Sequence, residues 1–360
     1  FAAMFPSSNL LNTDAAINST FEYMDRTSFG TFDAFAYATS EYKIVEPDDA
    51  DANLAFRFKD TTSNGTNYSL AYSYNYDPNP VIDVSWRDQA GNKLTVNRGA
   101  AFDTGDRFSS VLTLSGGSQA AYGGKAIDDG TGTAAILRFE QTLERVHNLG
   151  ASADFAIETD SFGPVVIRTE GVYTKDARTP VIDRGALSIG DLPAALKMLK
   201  GDKFKYVIGA DVSVLTDMMV SAQFIQERNL DFIDNPDQDF DGSSCSAAGR
   251  VAVASNCGVY TADFASMHLT NGLKKGIENK EFYSLFLSKP FGASGEGRWN
   301  NILMLEEGGG RWNRFDVEYS LTNDLIGTVE YNKYWGDENS QFGQLEAASN
   351  VQVGLKYLFE

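Results

Sequence analysis

The chain has 360 residues, with 30 Lys and Arg against 49 Asp and Glu, a formal charge of −19, and only 2 His and 2 Cys. A surface this acidic repels phosphate backbones, which excludes generic nucleic-acid binding, and two histidines leave little for His-based metal or triad chemistry. Gly (33), Phe (24) and Tyr (16) are abundant, yet no run reaches the roughly 18 apolar residues that a membrane helix needs, so helical membrane proteins are excluded as well.

The sequence opens abruptly at Phe1 with no charged and then apolar leader, so either processing has occurred or an N-terminal part of a longer chain is missing, and the second is the favoured expectation. Residues 1–50 read as a plug, a loop or an incomplete strand; within them 29–44 fits a strand, a hairpin or a plug segment equally. Residues 51–360 read as one β-domain.

The first clear element is 67–77, where Tyr68, Leu70, Tyr72, Tyr74 and Tyr76 alternate with Ser69, Ala71, Ser73 and Asn75. Period two means strand. Later strands repeat the alternation with charges on the second face. In 163–175, Val165, Ile167 and Tyr173 oppose Arg168 and Glu170; in 203–214, Phe204, Tyr206, Ile208, Ala210, Val212 and Val214 oppose Lys205 and Asp211; in 311–321, Phe315, Val317, Tyr319 and Leu321 oppose Trp312, Arg314, Asp316 and Glu318. Further strands are expected at 53–59, 80–87, 107–114, 134–145, 149–158, 218–229, 280–290, 298–306 and 325–335, most of them near the 9–11 residues of a tilted bilayer-crossing strand. A short helix is expected at 191–200, with Asp191 as cap, Pro193 in the first turn and Gly201 as the stop.

Gly308–Gly310 and Thr322–Asp324 supply short turns, whereas 115–133, 230–258 and 336–349 are long and polar. The last strand sets Val351, Val353, Leu355, Tyr357 and Phe359 against Gln352, Gly354, Lys356 and Leu358. Only helices and closed barrels satisfy every backbone group in hydrocarbon. The fold class is therefore all-β, a transmembrane antiparallel β-barrel of the outer-membrane type, with long polar extracellular loops. About 14 strands are expected in this portion. Apolar faces would meet lipid, and Arg168, Glu170, Lys205, Asp211, Arg314, Asp316 and Glu318 would line the lumen, as paired charges with a structural role or as the sides of a path.

Two loop features carry candidate chemistry. Asp237, Asp239 and Asp241, with Asp234 just upstream and Gly242 after them, form the front half of a calcium loop. The twelfth position is Ala248 rather than the bidentate Glu of an EF-hand, so a looser Ca²⁺ site and a merely solvated acidic loop both stand. Cys245 and Cys257 flank one short segment and read as a disulfide in an oxidising compartment. Gly124-Lys125 lacks the spacing and the following Ser or Thr of a phosphate loop. His147 reads as a solvated turn histidine and His268 as equally unremarkable, so an enzyme is not expected.

Three segments resemble a Gram-negative outer-membrane family of undetermined function whose genes often accompany RND-type exporters and a periplasmic lipoprotein-like partner. They are 47–59 (Pro-Asp-Asp-Ala-Asp-Ala-Asn-Leu-Ala-Phe-Arg-Phe-Lys), 143–157 with Val166–Tyr173 following, and 204–235 with Tyr206–Asp211 and Gln223–Ile225. The resemblance implies chains longer than this one, a place in the bacterial outer membrane, and the movement of hydrophobic or lipid-like compounds. It also implies periplasmic and inner-membrane transport components as partners, and it brings no catalytic residues. Outer-membrane lipid and lipopolysaccharide are the surroundings such a barrel would meet. Two rival functions are a general diffusion porin, and a structural or adhesion barrel whose calcium-binding surface loops contact cells or lipopolysaccharide.

Overall fold

The computed structural model describes residues 38–47, 52–103, 108–115, 135–183, 186–187, 190–234, 258–263, 275–337 and 340–359. In chain order the elements are β1 (Thr39–Ile44), β2 (Leu54–Thr61), β3 (Asn67–Tyr76), β4 (Val81–Arg87), β5 (Thr95–Asp103), β6 (Phe108–Ser115), β7 (Ile136–Thr142), β8 (Arg145–Thr159) and β9 (Gly163–Asp183). Helix α1 (Leu192–Ala195) precedes β10 (Leu196–Val214), β11 (Met218–Asn229), β12 (Val259–Thr261) and β13 (Asn279–Phe291). The chain ends with β14 (Gly297–Glu306), β15 (Arg311–Ser320), β16 (Leu325–Trp335), a 3-10 turn (Gly343–Ala348) and β17 (Asn350–Tyr357).

One large antiparallel sheet dominates, in the order β17-β16-β15-β14-β13-β11-β10-β9-β8-β3-β2, with the short β12 added to β9. Directly paired residues share a face of a sheet, so the register carries one side of the wall from strand to strand. Phe58 pairs with Leu70, Leu70 with Ala151, Leu149 with Tyr173, Tyr173 with Phe204, and Ile208 with Phe224. The row continues through Tyr283, Leu305, Phe315, Tyr331 and Val351 on the strands that follow. Phe56, Leu149, Ile208, Phe315 and Val353 on this face stand exposed. The opposite face carries Ser69, Asn148, Arg168, Lys205, Asp316 and Gln352.

Such a sheet is inside out by the standard of a water-soluble protein, because its exposed side is the apolar one. Contiguous apolar surface of this extent is stable only against hydrocarbon. The wall is that of an outer-membrane-type antiparallel β-barrel, with the apolar face outward and the polar face inward.

The connections sort by end. Short turns at 62–66, 160–162, 215–217, 292–296 and 321–324 lie at one end; 77–144, 184–195, 230–278, 307–310 and 336–349 lie at the other. The glycine turn at 308–310, expected to resemble 322–324, therefore sits opposite it, among the long connections.

The long-connection end holds the buried core. There β1, β7 and β4 form a three-stranded sheet, with β1 and β7 parallel, and β5 and β6 form a hairpin. Val84, Trp86 and Leu137 of this cap pack with Ile182, Leu187, Leu196, Met198 and Tyr260. The segments at 80–87, 107–114 and 134–145 are strands as expected, but they build the cap and not the wall. Period-two alternation identifies a strand without naming its sheet.

The helix expected over 191–200 stops after four residues. Asp191 Oδ1 accepts the Ala194 N–H at 3.1 Å, so the N-terminal cap is made as expected. From Leu196 the chain turns extended, because Leu196 and Met198 bury in the cap while Lys197 and Leu199 face out. Period two then wins over the local helical spacing. Of the segment 29–44, β1 is described and runs along β7; residues 29–37 lie outside the described residues.

Candidate functional site at the mouth of the wall

Antiparallel pairing places Arg168, Glu170, Lys205, Asp211, Arg314, Asp316 and Glu318 on the inner, polar face. Most meet opposite charge. Arg168 Nε lies 2.9 Å from Asp211 Oδ2, and Lys205 Nζ lies 3.0 Å from Glu227 Oε1. Arg314 reaches Glu330 at 2.6 Å and Asp316 at 3.3 Å, and Asn300 Nδ2 donates to Asp316 at 2.8 Å. Glu318 stands directly opposite Arg298, and Glu170 opposite Ser152 and Val207. Between β3 and β9 neutral polar contacts join the strands on the inner face as well: the Ser69 and Ser152 hydroxyls lie 2.7 Å apart, and Asn148 links Asn75 and Thr174.

An apolar strip on the inner face was missing from the sequence reading. Val207, Ile225 and Phe282 pair in one row across β10, β11 and β13. Met304, Trp312 and Tyr334 form another across β14, β15 and β16, and Phe286 pairs with Ile302. The run Phe282-Tyr283-Ser284-Leu285-Phe286-Leu287 was the available signal, since apolar residues occupy both of its faces.

At the mouth a chain segment folds inward over this strip. Residues 340–348 follow β16, and Phe342 inserts its ring beside Phe282 (5.9 Å) and Trp312 (6.2 Å), both inward-facing. Glu306, 6% exposed, accepts the backbone N–H of Gln341 at 2.8 Å and of Phe342 at 3.3 Å. Lys280 Nζ donates to Gln341 Oε1 at 2.8 Å and lies 3.8 Å from Glu306. Ser340 Oγ donates to the Asp337 carbonyl and accepts the Gly343 N–H at 3.0 Å. A Cβ on Gly343 would strike the Asp337 carbonyl, so only glycine allows this close turn.

Between that segment, the inner wall and the 261–263 and 276–278 stretches lies a cavity of about 470 Å³. Lys203, Glu227, Lys280 and Glu306 line it from the wall, and Gln341, Gln344 and Leu345 from the segment. Its size falls within the range of small-molecule sites.

The remaining sequence candidates divide by position. Asp234 is bridged to Lys275 at 2.7 Å. Asp237, Asp239, Asp241, Cys245, Cys257 and His268 lie outside the described residues. His147 is not a turn residue: it sits in β8 on the outward face, its Nδ1 is 2.9 Å from the Tyr72 hydroxyl, and its ring stacks on Tyr74 at 4.6 Å. Beside it the Arg145 guanidinium covers the Tyr76 ring at 4.8 Å. These side chains form an aromatic girdle at the long-connection end, where amphipathic rings suit a membrane boundary.

No curated protein matches the chain. Among solved structures it is similar to the KdgM porin (7% identity, TM-score 0.26, covering 86% of this chain and 100% of that one). It is similar to Acinetobacter baumannii OccAB1 (10% identity, TM-score 0.33, covering 82% and 75%) and to the copper transporter OprC (12% identity, TM-score 0.34, covering 86% and 50%). Residues 8–359 match the family described as "Protein of unknown function (DUF1302)", and the chain belongs to that family.

Proposed function

We propose that this protein is a conduit through the bacterial outer membrane for amphiphilic, lipid-like molecules. The observation that carries the reading is the pairing, on one inner face, of the apolar strip from Val207 to Tyr334 with ion pairs such as Arg314–Glu330. The strip offers an apolar path for a hydrocarbon body, while the fixed dipoles and charges beside it solvate a polar head. In a general diffusion porin a water-filled lumen would be expected, and the inward-folded 340–348 segment argues against that rival. A partnership with periplasmic and RND-type inner-membrane components belongs to the same proposal and rests on the family resemblance described above.

The test is entry of a fluorescent fatty acid into liposomes carrying the purified full-length protein. Faster entry than into empty liposomes, slowed by Phe286→Asp on the strip, is the expected result. Entry at the empty-liposome rate would overturn the proposal. A structural or adhesion role would then stand in its place.

A further inference from the structure

We infer that residues 340–348 form a size-selecting constriction, with Glu306 and Phe342 as the residues that hold it across the mouth. The inference deepens the conduit reading and rests on it.

Four observations converge. Glu306, at the end of β14, directs its buried carboxylate at the backbone N–H groups of Gln341 and Phe342. Those donors precede the 3-10 turn and have no partner within it, so the carboxylate satisfies groups that would otherwise be orphaned. Phe282 on β13 and Trp312 on β15 receive the Phe342 ring. Lys280 on β13 holds the Gln341 side chain. On the far side Gly336 has a φ of +131°, and a Cβ there would collide with the Gly309 carbonyl. The backbone therefore leaves β16 in a conformation reserved for glycine, packed against the 308–310 turn.

A loop with no role at the mouth would extend into water, where its polar side chains are solvated. This segment instead spends a buried charge and a large aromatic ring on staying inside. Its inward side forms one wall of the 470 Å³ cavity through Gln341, Gln344 and Leu345, and the inner strands form the other. A solute entering on the β13–β16 side passes between these walls. Gln341 and Gln344 offer neutral donors and acceptors there, Lys280 a cation and Leu345 an apolar contact, a combination that suits a slim amphiphile and restricts bulky hydrated solutes.

The experiment compares wild-type protein with Phe342→Ala and with Glu306→Gln, each full length, in planar bilayers and in liposome swelling with neutral sugars of increasing size. Unit conductance is expected to rise at least threefold in both variants, and a tri- or tetrasaccharide that wild type excludes is expected to enter. A silent wild type with conducting variants supports the constriction equally. Wild type and variants that conduct alike, or are all silent, would overturn it.

Because either substitution could harm folding, Gln344→Cys treated with a bulky maleimide supplies a second arm. Conductance should fall on labelling there and stay unchanged for labelled Val353→Cys on the outward face; equal effects at both sites count against the inference. Fatty-acid entry measured in the same liposomes separates the two failures. Entry with unaltered conductance removes the constriction alone, and absent entry removes the conduit.

Discussion

Arg314 on β15 lies 2.6 Å from Glu330 on β16 and 3.3 Å from Asp316 on its own strand, one cation serving two carboxylates on the inner face. Removing the guanidinium leaves two like charges facing each other across neighbouring strands. For Arg314→Ala we expect a loss of about 1–2 kcal/mol in denaturant unfolding, moderated because the group is partly solvated. Once the constriction is open, as in the Phe342→Ala background, the same change should shift the reversal potential toward cation selectivity. An unchanged reversal potential would place these charges off the ion path.

The wall's polarity can be tested on its last strand. Val353, 77% exposed at the middle of β17, faces outward, and Gln352 next to it faces inward. Val353→Arg should cost about 2–4 kcal/mol of insertion free energy, the range for a cation at the bilayer midplane. Gln352→Arg should cost far less. Unfolding in lipid vesicles, followed by heat-modified gel mobility, distinguishes them, and equal costs would contradict the assignment of faces.

Trp86 is 3% exposed in the cap core. Trp86→Ala should leave a cavity costing about 3–5 kcal/mol. The loss should be local: amides of β4 and β7 exchange faster while β15 and β16 keep their protection. Uniform acceleration would mean that cap and wall unfold as one unit.

The turn at 292–296 lies outside the bilayer-crossing strands. Glu296 accepts its own backbone N–H and, at 3.0 Å, that of Ser294, which together hold its carboxyl below the ordinary value of about 4.5. A depressed folded pKa contributes order that is fully present above the unfolded value and is lost as pH falls through the folded one. Amide exchange at Ser294 should therefore be unaffected near neutrality and, after correction for intrinsic rates, less protected once the pH falls through the lowered folded pKa. Glu296→Gln should abolish that pH dependence.

How far the sequence could be read depends on what each pattern encodes. In β3, Tyr68 to Tyr76 alternate with small polar residues, and the parity of that alternation separates an apolar from a polar face, as it would in a soluble sandwich too. The same parity puts Arg168, Lys205 and Arg314 on the face opposite their apolar neighbours. The cap was not legible as such, because Val84 and Trp86 alternate like wall residues and only long-range contacts with Ile182 and Leu196 show where they pack. Residues 191–200 differ in another way: Asp191, Pro193 and Gly201 are start and stop signals of a helix, yet burial of Met198 beside Leu196 draws the chain into β10. Phe342 was unreadable as a mouth residue, since a lone aromatic in a polar loop does not say which wall it meets.

Strands β9 and β10 run from the short-turn end of the wall into the cap, with their pairing shifted between Gly201 and Lys203. That shared ladder couples assembly in the membrane to assembly above it. A one-residue slip of β10 against the wall would turn Lys205 toward hydrocarbon and, in the same movement, withdraw Leu196 and Met198 from their neighbours. Misregistered chains would fail on both sides of the interface at once, and the bulge marks where the demands of lipid give way to those of a water-facing core.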